Sequence, residues 1–323
     1  MEMPELNDPT VDRLARAALQ SDTEAYRLIA KRLSRNPLET ALFGGKWNGD
    51  HVERRLRLFR DLTPEYERVM AGFGISDPSA TFLFEIIVPL TQYLSQRATE
   101  ASGTFLVGIG GGPGVGKTTQ SKILSACLPM MASAKQRCLS LSLDDFYFPK
   151  EERLRRGHKW RTLPGSHDTA RLCAFVSSLD RRGETLTVPR YDLGRDTPAA
   201  DEVLPDTPDI CIFDGAMVGA RCPGYDTLAD RFDFFIYLDA PIAQLQQWRF
   251  GRERKIRQQT HGQAGFTEEQ MQAFWNEALQ PSITQWVMPN AHIADVVLEI
   301  GPDRNLLGVR RPQSQAKTEA ETI

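Results

Sequence analysis

Cysteine is scarce in this chain and is not arranged for bonding. The five cysteines, Cys127, Cys138, Cys173, Cys211 and Cys222, are scattered without a C-x-x-C pair, and three lie in apolar runs. That usage predicts reduced thiols in a cytosolic protein. Long apolar runs are missing as well. None reaches the ~18 residues of a membrane span, and the N-terminus MEMPELNDPT has no basic stretch followed by an apolar one. A soluble, unprocessed, cytoplasmic protein without a membrane partner is therefore expected. No charge of one sign dominates either: the formal net charge of −3 gives no electrostatic footprint for nucleic acid. His51, His158, His261 and His292 show no metal-ligand spacing and receive no role.

What is present is an ordinary globular balance, 41% hydrophobic and 25% charged over 323 residues, enough for one large α/β domain with a smaller appendage. Residues 1–80 read as helices. Ser21 and Glu24 have capping-box spacing ahead of Tyr26, Ile29 and Leu33, and Thr63-Pro64 fits an N-cap followed by the first helical position. The basic stretch HVERRLRLFR reads as a solvated helix face whose Val52, Leu56 and Phe59 pack inward. FLFEIIVPLTQYL is a strongly apolar helix, interrupted at Pro89, expected to pack against the sheet that follows.

From Thr104 the pattern alternates between strands and helices. Strands are expected at Thr104–Ile109, Arg137–Leu143, Ile210–Phe213, Phe234–Leu238 and Val296–Ile300. Short apolar strands separated by helices predict a P-loop NTPase-type parallel sheet with helices on both faces, here spanning 81–311, with a polar, disordered tail over 312–323. The first strand leads into GIGGGPGVGKTTQ, where Gly111, Gly116, Lys117 and Thr118 fit G-x-x-x-x-G-K-[ST]. The glycines, Gly111, Gly112, Gly114 and Gly116, let backbone N–H groups wrap phosphate oxygens. Lys117 neutralises the β- and γ-oxygens, Thr118 offers its hydroxyl to Mg²⁺, and Thr119 follows at the helix N-terminus.

Ligands of such sheets bind beyond the carboxyl ends of the strands, so strand-end acids are informative. SLSLDDFYFP places Asp144 and Asp145 at one such end, and ICIFDGAMVG places Asp214 at another. A carboxylate there holds Mg²⁺ or takes a proton from a hydroxyl. Gly215 follows Asp214 where a hydrolytic motor would carry Glu, and no N-K-x-D segment reads guanine. Phosphoryl transfer from ATP to a small alcohol remains, in which a carboxylate such as Asp144 orients and deprotonates the hydroxyl.

The segments GGPGVGKTT, SLDDFYFP, LPGSHD, VPRYD, IFDGAMVG and QWRFGRE, in that order, resemble the kinase branch containing phosphoribulokinase, uridine kinase and bacterial pantothenate kinase. Within it the chain looks most like the plant-type D-glycerate 3-kinases and their bacterial relatives. The resemblance implies Asp144 as general base and Tyr147, His167, Asp168, Arg190, Tyr191 and Asp192 as acceptor-side residues. It implies Asp214 beside the metal, with Arg249 and Arg252 as lid arginines over the transferring phosphate. Asp168 is also placed to cap the following helix.

The chain departs from that pattern in having Asp214-Gly215 for Glu-Gly, Ala216 for Trp, and LGRDTPAADE after VPRYD, all on the acceptor's side. An acidic hydroxy compound such as glycerate needs a cationic clamp. Lys159, Arg161, His167, Arg190 and Arg195 are available, of which Arg190 and His167 are singled out. Glycerate ranks first as acceptor. Another small alcohol (a nucleoside, a pantothenate-like compound or a sugar phosphate) ranks second, and a non-catalytic nucleotide-binding regulatory module is the alternative from a different class.

Overall fold

The computed structural model describes residues 10–45, 48–131 and 136–312. The tail expected to be disordered lies outside these residues from 313 onward. In chain order the strands are β1 (Phe105–Gly111), β2 (Cys138–Ser142), β3 (Leu186–Val188), β4 (Tyr191–Asp192), β5 (Thr197–Pro198), β6 (Glu202–Leu204), β7 (Ile210–Asp214), β8 (Phe234–Asp239), β9 (Val296–Ile300) and β10 (Leu306–Arg310). Six of them form one sheet in the order β10-β9-β8-β1-β7-β2, parallel except for the edge strand β10. The five strands expected from sequence are the five parallel ones. The antiparallel β10 and the short pairs β3 with β6 and β4 with β5 went unforeseen, being brief and partly exposed.

The strands are apolar throughout because both faces are covered, yet their residues alternate strictly between the two sides. Phe105, Val107 and Ile109 of β1, Ile210 and Ile212 of β7, and Phe234, Ile236 and Leu238 of β8 enter one core. Leu106, Cys211, Phe213, Phe235 and Tyr237 enter the other.

The first core is completed by the N-terminal helices α1 (Thr10–Leu19), α2 (Thr23–Leu33), α3 (Pro37–Phe43) and α4 (Gly49–Gly72), and by the helical stretch comprising α5 (Ala80–Phe82), a π-turn at Leu83–Ile87 and α6 (Val88–Glu100). Ile29, Leu33, Phe59 and Leu62 share it with the buried side of the sheet. The P-loop helix α7 (Lys117–Cys127) joins them. After α8 (Lys150–Arg155), the helices α9 (Thr169–Ser178) and α10 (Asp226–Arg231) cover the second face. The long α11 (Ile242–Gln259), α12 (Glu268–Phe274) and the single turn α13 (Gln280–Ser282) follow β8.

Four local expectations are corrected. Ser21 has φ +70° and does not cap. Asp22 does, accepting from Ala25 N at 2.9 Å, because its carboxylate is one residue nearer the first turn. Thr63-Pro64 starts no helix. Pro64 lies inside α4, and the Thr63 hydroxyl instead donates back to Phe59 O at 2.6 Å. The basic stretch is not wholly solvated: Arg55 is fully buried, ion-paired with Glu39, and donates to Gln92 Oε1 at 3.1 Å. Burial lowers its pKa to about 10, against the raising influence of Glu39. Finally, Pro89 does not interrupt the helix. Proline cannot donate to Glu85 O, so the preceding turn widens, and Asn36 Nδ2 donates to that freed carbonyl at 2.9 Å.

All five cysteines are free, with Cys127, Cys211 and Cys222 buried.

Candidate active site

The sheet's register brings the chemistry to one level. Asp214, the last residue of β7, lies opposite Ile109 of β1 and Ser142 of β2, so the P-loop and the two acidic strand ends open on the same edge. Gly116 precedes α7 with φ +106°, and Lys117 begins the helix. Gly111, Gly112, Gly114, Lys117, Thr118 and Thr119 thus occupy the turn and first helical residues between β1 and α7.

Gly114 (φ +80°) is required twice over. Its left-handed backbone disfavours a side chain, and a Cβ there would stand 2.9 Å from Trp248 Cβ on α11. The helix that carries Arg249 and Arg252 is therefore seated directly on the phosphate loop. Gly215 (φ +155°) is equally constrained, since its Cβ would meet Leu143 Cβ at 2.9 Å. That crowding accounts for glycine after Asp214.

Lys117 Nζ donates to Gly112 O at 2.7 Å, and Thr118 Oγ1 donates to Asp214 Oδ1 at 3.0 Å. Burial pushes Lys117 down to about 8, opposed by the charges of Asp214 and Asp144 and reinforced by Arg252. Burial likewise pushes Asp214 up to about 6, resisted chiefly by Lys117. Asp144 follows β2 in the turn Leu143–Phe146. Desolvation raises its pKa, while a hydrogen bond from Tyr147 and the charges of Lys117, Arg161 and Arg252 hold it down. The arrangement is a carboxylate on which three cations act, with a lysine that has no carboxylate bonded to it among the described residues.

The pair Thr118 and Asp214 suits Mg²⁺. Both present oxygen, Asp214 is 2% exposed, and a hard cation held by one carboxylate, one hydroxyl, waters and phosphate oxygens needs no larger protein cage. Such an ion would neutralise charge on the β- and γ-phosphates.

On the acceptor side the structure gathers some predicted residues and diverts others. Tyr147 stacks on His167 with ring centres 4.1 Å apart and meets Tyr191 edge-on. His167 Nδ1 and the Tyr225 hydroxyl share a hydrogen bond of 2.7 Å. Burial lowers His167 to about 3, so the ring is neutral and supplies no cationic clamp. Arg190 is diverted too. It holds Glu202 at 2.6 Å and faces Asp145 at 3.6 Å.

Asp192 accepts from Gly194 N and Arg195 N at 2.9 and 3.0 Å, closing a turn. Asp168 caps α9, accepting from Arg171 N at 3.0 Å. Asp145 is a joint, accepting from Ser142 N and Tyr191 N, each at 3.1 Å. Of the lid arginines, Arg249 is ion-paired with the buried Glu253, whereas the charge of Arg252 acts on Lys117 and Asp144.

Asp196 escaped the sequence reading. It takes Arg153 Nη2 at 2.5 Å, Arg161 Nη1 at 3.2 Å and the Tyr191 hydroxyl at 2.8 Å. Its signal in the sequence is no more than a turn aspartate before Thr197-Pro198.

The pattern of the phosphoribulokinase/uridine kinase family matches residues 106–307, which hold every site element described above. The chain belongs to the phosphoribulokinase/uridine kinase family. It is an ATP-dependent small-molecule kinase, and kinases of this family use ATP with Mg²⁺. Among curated relatives, a pantothenate kinase of Streptomyces coelicolor is 29% identical over 237 residues, covering 67% of this chain and 72% of the relative. A pantothenate kinase of Sorangium cellulosum is 30% identical over 221 residues, covering 64% and 71%. A solved structure described as that of YGR205w protein aligns with a TM-score of 0.57 at 19% identity, over 71% of this chain and 98% of that one, a likeness of fold.

Proposed function

We propose that this kinase phosphorylates a small hydroxy carboxylic acid, with D-glycerate the first acceptor to test. The observation that carries the reading is Asp144, a carboxylate in the turn after β2 on which the charges of Lys117, Arg161 and Arg252 all act. A base with a raised pKa is suited to accept a hydroxyl proton, and surplus cations suit an acceptor that brings its own negative charge. In the transfer, Asp144 takes the proton of the acceptor hydroxyl as its oxygen bonds to the γ-phosphorus. The bond from that phosphorus to the β–γ bridging oxygen breaks, and ADP leaves. Lys117 and Arg252 balance charge on the transferring group. Tyr147, whose hydroxyl acts on the Asp144 carboxylate, orients the base.

LPGSHD and SLDDFYFP support glycerate. Pantothenate is the second reading, supported by the name of the curated relatives above and by the same acid-plus-hydroxyl chemistry. ADP release from Mg·ATP, followed with D-glycerate, pantothenate, uridine and ribulose 5-phosphate in parallel, separates them. Turnover confined to one of the two acids selects between them, and turnover with uridine alone rejects the hydroxy-acid reading.

A further inference from the structure

Five basic side chains are candidates to meet an acidic acceptor, and carboxylates of the chain engage three of them, Arg190, Lys159 and Arg195. Arg190 is engaged by Glu202 and Asp145. His167 is uncharged. Lys159 is exposed and paired with Glu277 at 3.0 Å, and Arg195 is 83% exposed beside Asp192. Arg161 differs from all of them. Its guanidinium lies 5.9 Å from the centre of the Tyr147 ring, and its charge acts on both Asp144 and Tyr147.

It is also held in place. One of its nitrogens, Nη1, donates to Leu193 O at 3.0 Å and to Asp196 Oδ1 at 3.2 Å. No other donor of this side chain makes a hydrogen bond among the described residues, and the side chain is 34% exposed. Asp196 is itself fixed. Its other oxygen takes Arg153, which is buried and bonded to the carbonyls of His158 and Lys159 at 3.0 and 2.9 Å. The segment carrying Arg161 and the turn carrying Asp196 are thus locked together, with one guanidinium nitrogen fastened and the group as a whole near the Tyr147 ring.

We propose that Arg161 binds the carboxylate of the acceptor and that Asp196 is the positioning residue that aims it, so that this pair sets the enzyme's preference for acids over neutral alcohols. The inference rests on the hydroxy-acid reading above and names the residues that would enforce it. A planar guanidinium with one nitrogen anchored is suited to meet a carboxylate with the others.

The test is the ratio of kcat/KM for an acid to that for its uncharged counterpart: D-glycerate against glycerol, and pantothenate against pantothenyl alcohol. Arg161→Gln is expected to lower kcat/KM for the acid on the order of 10- to 100-fold more than for the neutral alcohol, the worth of a charged hydrogen-bonded pair, whatever smaller loss both share through Asp144. Arg161→Lys recovers part of the loss, and Asp196→Asn raises KM for the acid with kcat little changed. Affinity for ATP, unchanged in each variant, certifies the fold. Equal losses on acid and alcohol, or no loss on the acid, overturn the assignment of Arg161 while leaving the acceptor reading intact. Wild-type turnover of neither acid overturns the acceptor reading and this inference together.

Discussion

Asp144 and Asp214 occupy similar strand ends yet face different demands. As the proposed base Asp144 must be ionised to act, and Asp144→Asn is expected to lower kcat on the order of 10²- to 10⁴-fold with the KM for ATP nearly unchanged, measured by ADP release. Asp214 must be ionised to hold a cation, and Lys117 must be protonated to hold phosphate. With the former at about 6 and the latter at about 8, kcat/KM for ATP should fall below pH 6 and above pH 8.

The same shift sets a stability cost. The folded pKa of Asp214 stands above the ordinary carboxylate value, so folding favours the protonated form. Stability is lost as pH rises from about 4 to 6, and the loss persists above that. Asp214→Asn, which keeps an acceptor for Thr118, should therefore stabilise the ligand-free protein by roughly 1–3 kcal/mol at pH 7 and hardly at all near pH 4, while abolishing turnover. Thermal melts at the two pH values measure it. These acids and the P-loop were legible in the sequence because phosphate chemistry fixes both residue type and spacing. Whether Arg190 or Arg161 faces the acceptor was not, because that depends on which carboxylates (Glu202, Asp145 or Asp196) the folded hairpins bring alongside.

At the scale of elements, Pro89 was misread as an interruption, and the structure uses the same device at two further prolines. Three π-turns, at Leu83–Ile87, Trp275–Leu279 and Ile283–Val287, each end two residues before a proline: Pro89, Pro281 and Pro289. A missing N–H and a bulky ring are absorbed by widening the helix where tertiary packing holds it, and no rule of local sequence tells this from a break. Packing also decides the seat of α11. Gly114→Ala should strain the loop and push Trp248 away, lowering stability by about 1–2 kcal/mol and removing most of the stabilisation conferred by Mg·ATP. Melting curves with and without the nucleotide test this. Loss of stability with full nucleotide response would show that the seat of α11 does not govern the phosphate loop.

For the whole molecule, the N-terminal helices were read as an appendage, but their apolar residues and those of the sheet make one core. Removing residues 1–80 is expected to leave a fragment that is aggregated or without fixed tertiary structure, with or without Mg·ATP. A monodisperse 81–323 fragment with a cooperative melt would overturn that expectation. The thiols carry a consequence of the same layering. Burial pushes Cys127 and Cys138 up to about 12, Cys222 to about 11 and Cys211 well above the usual thiol range. At neutral pH these sulfurs are nearly devoid of thiolate, so an alkylating reagent modifies them only as fast as the chain around them opens. Placed on α7, β2 and β7 and in the loop before α10, they are built-in clocks, each timing the breathing of its own layer, two of them on the very elements that carry Lys117 and Asp214.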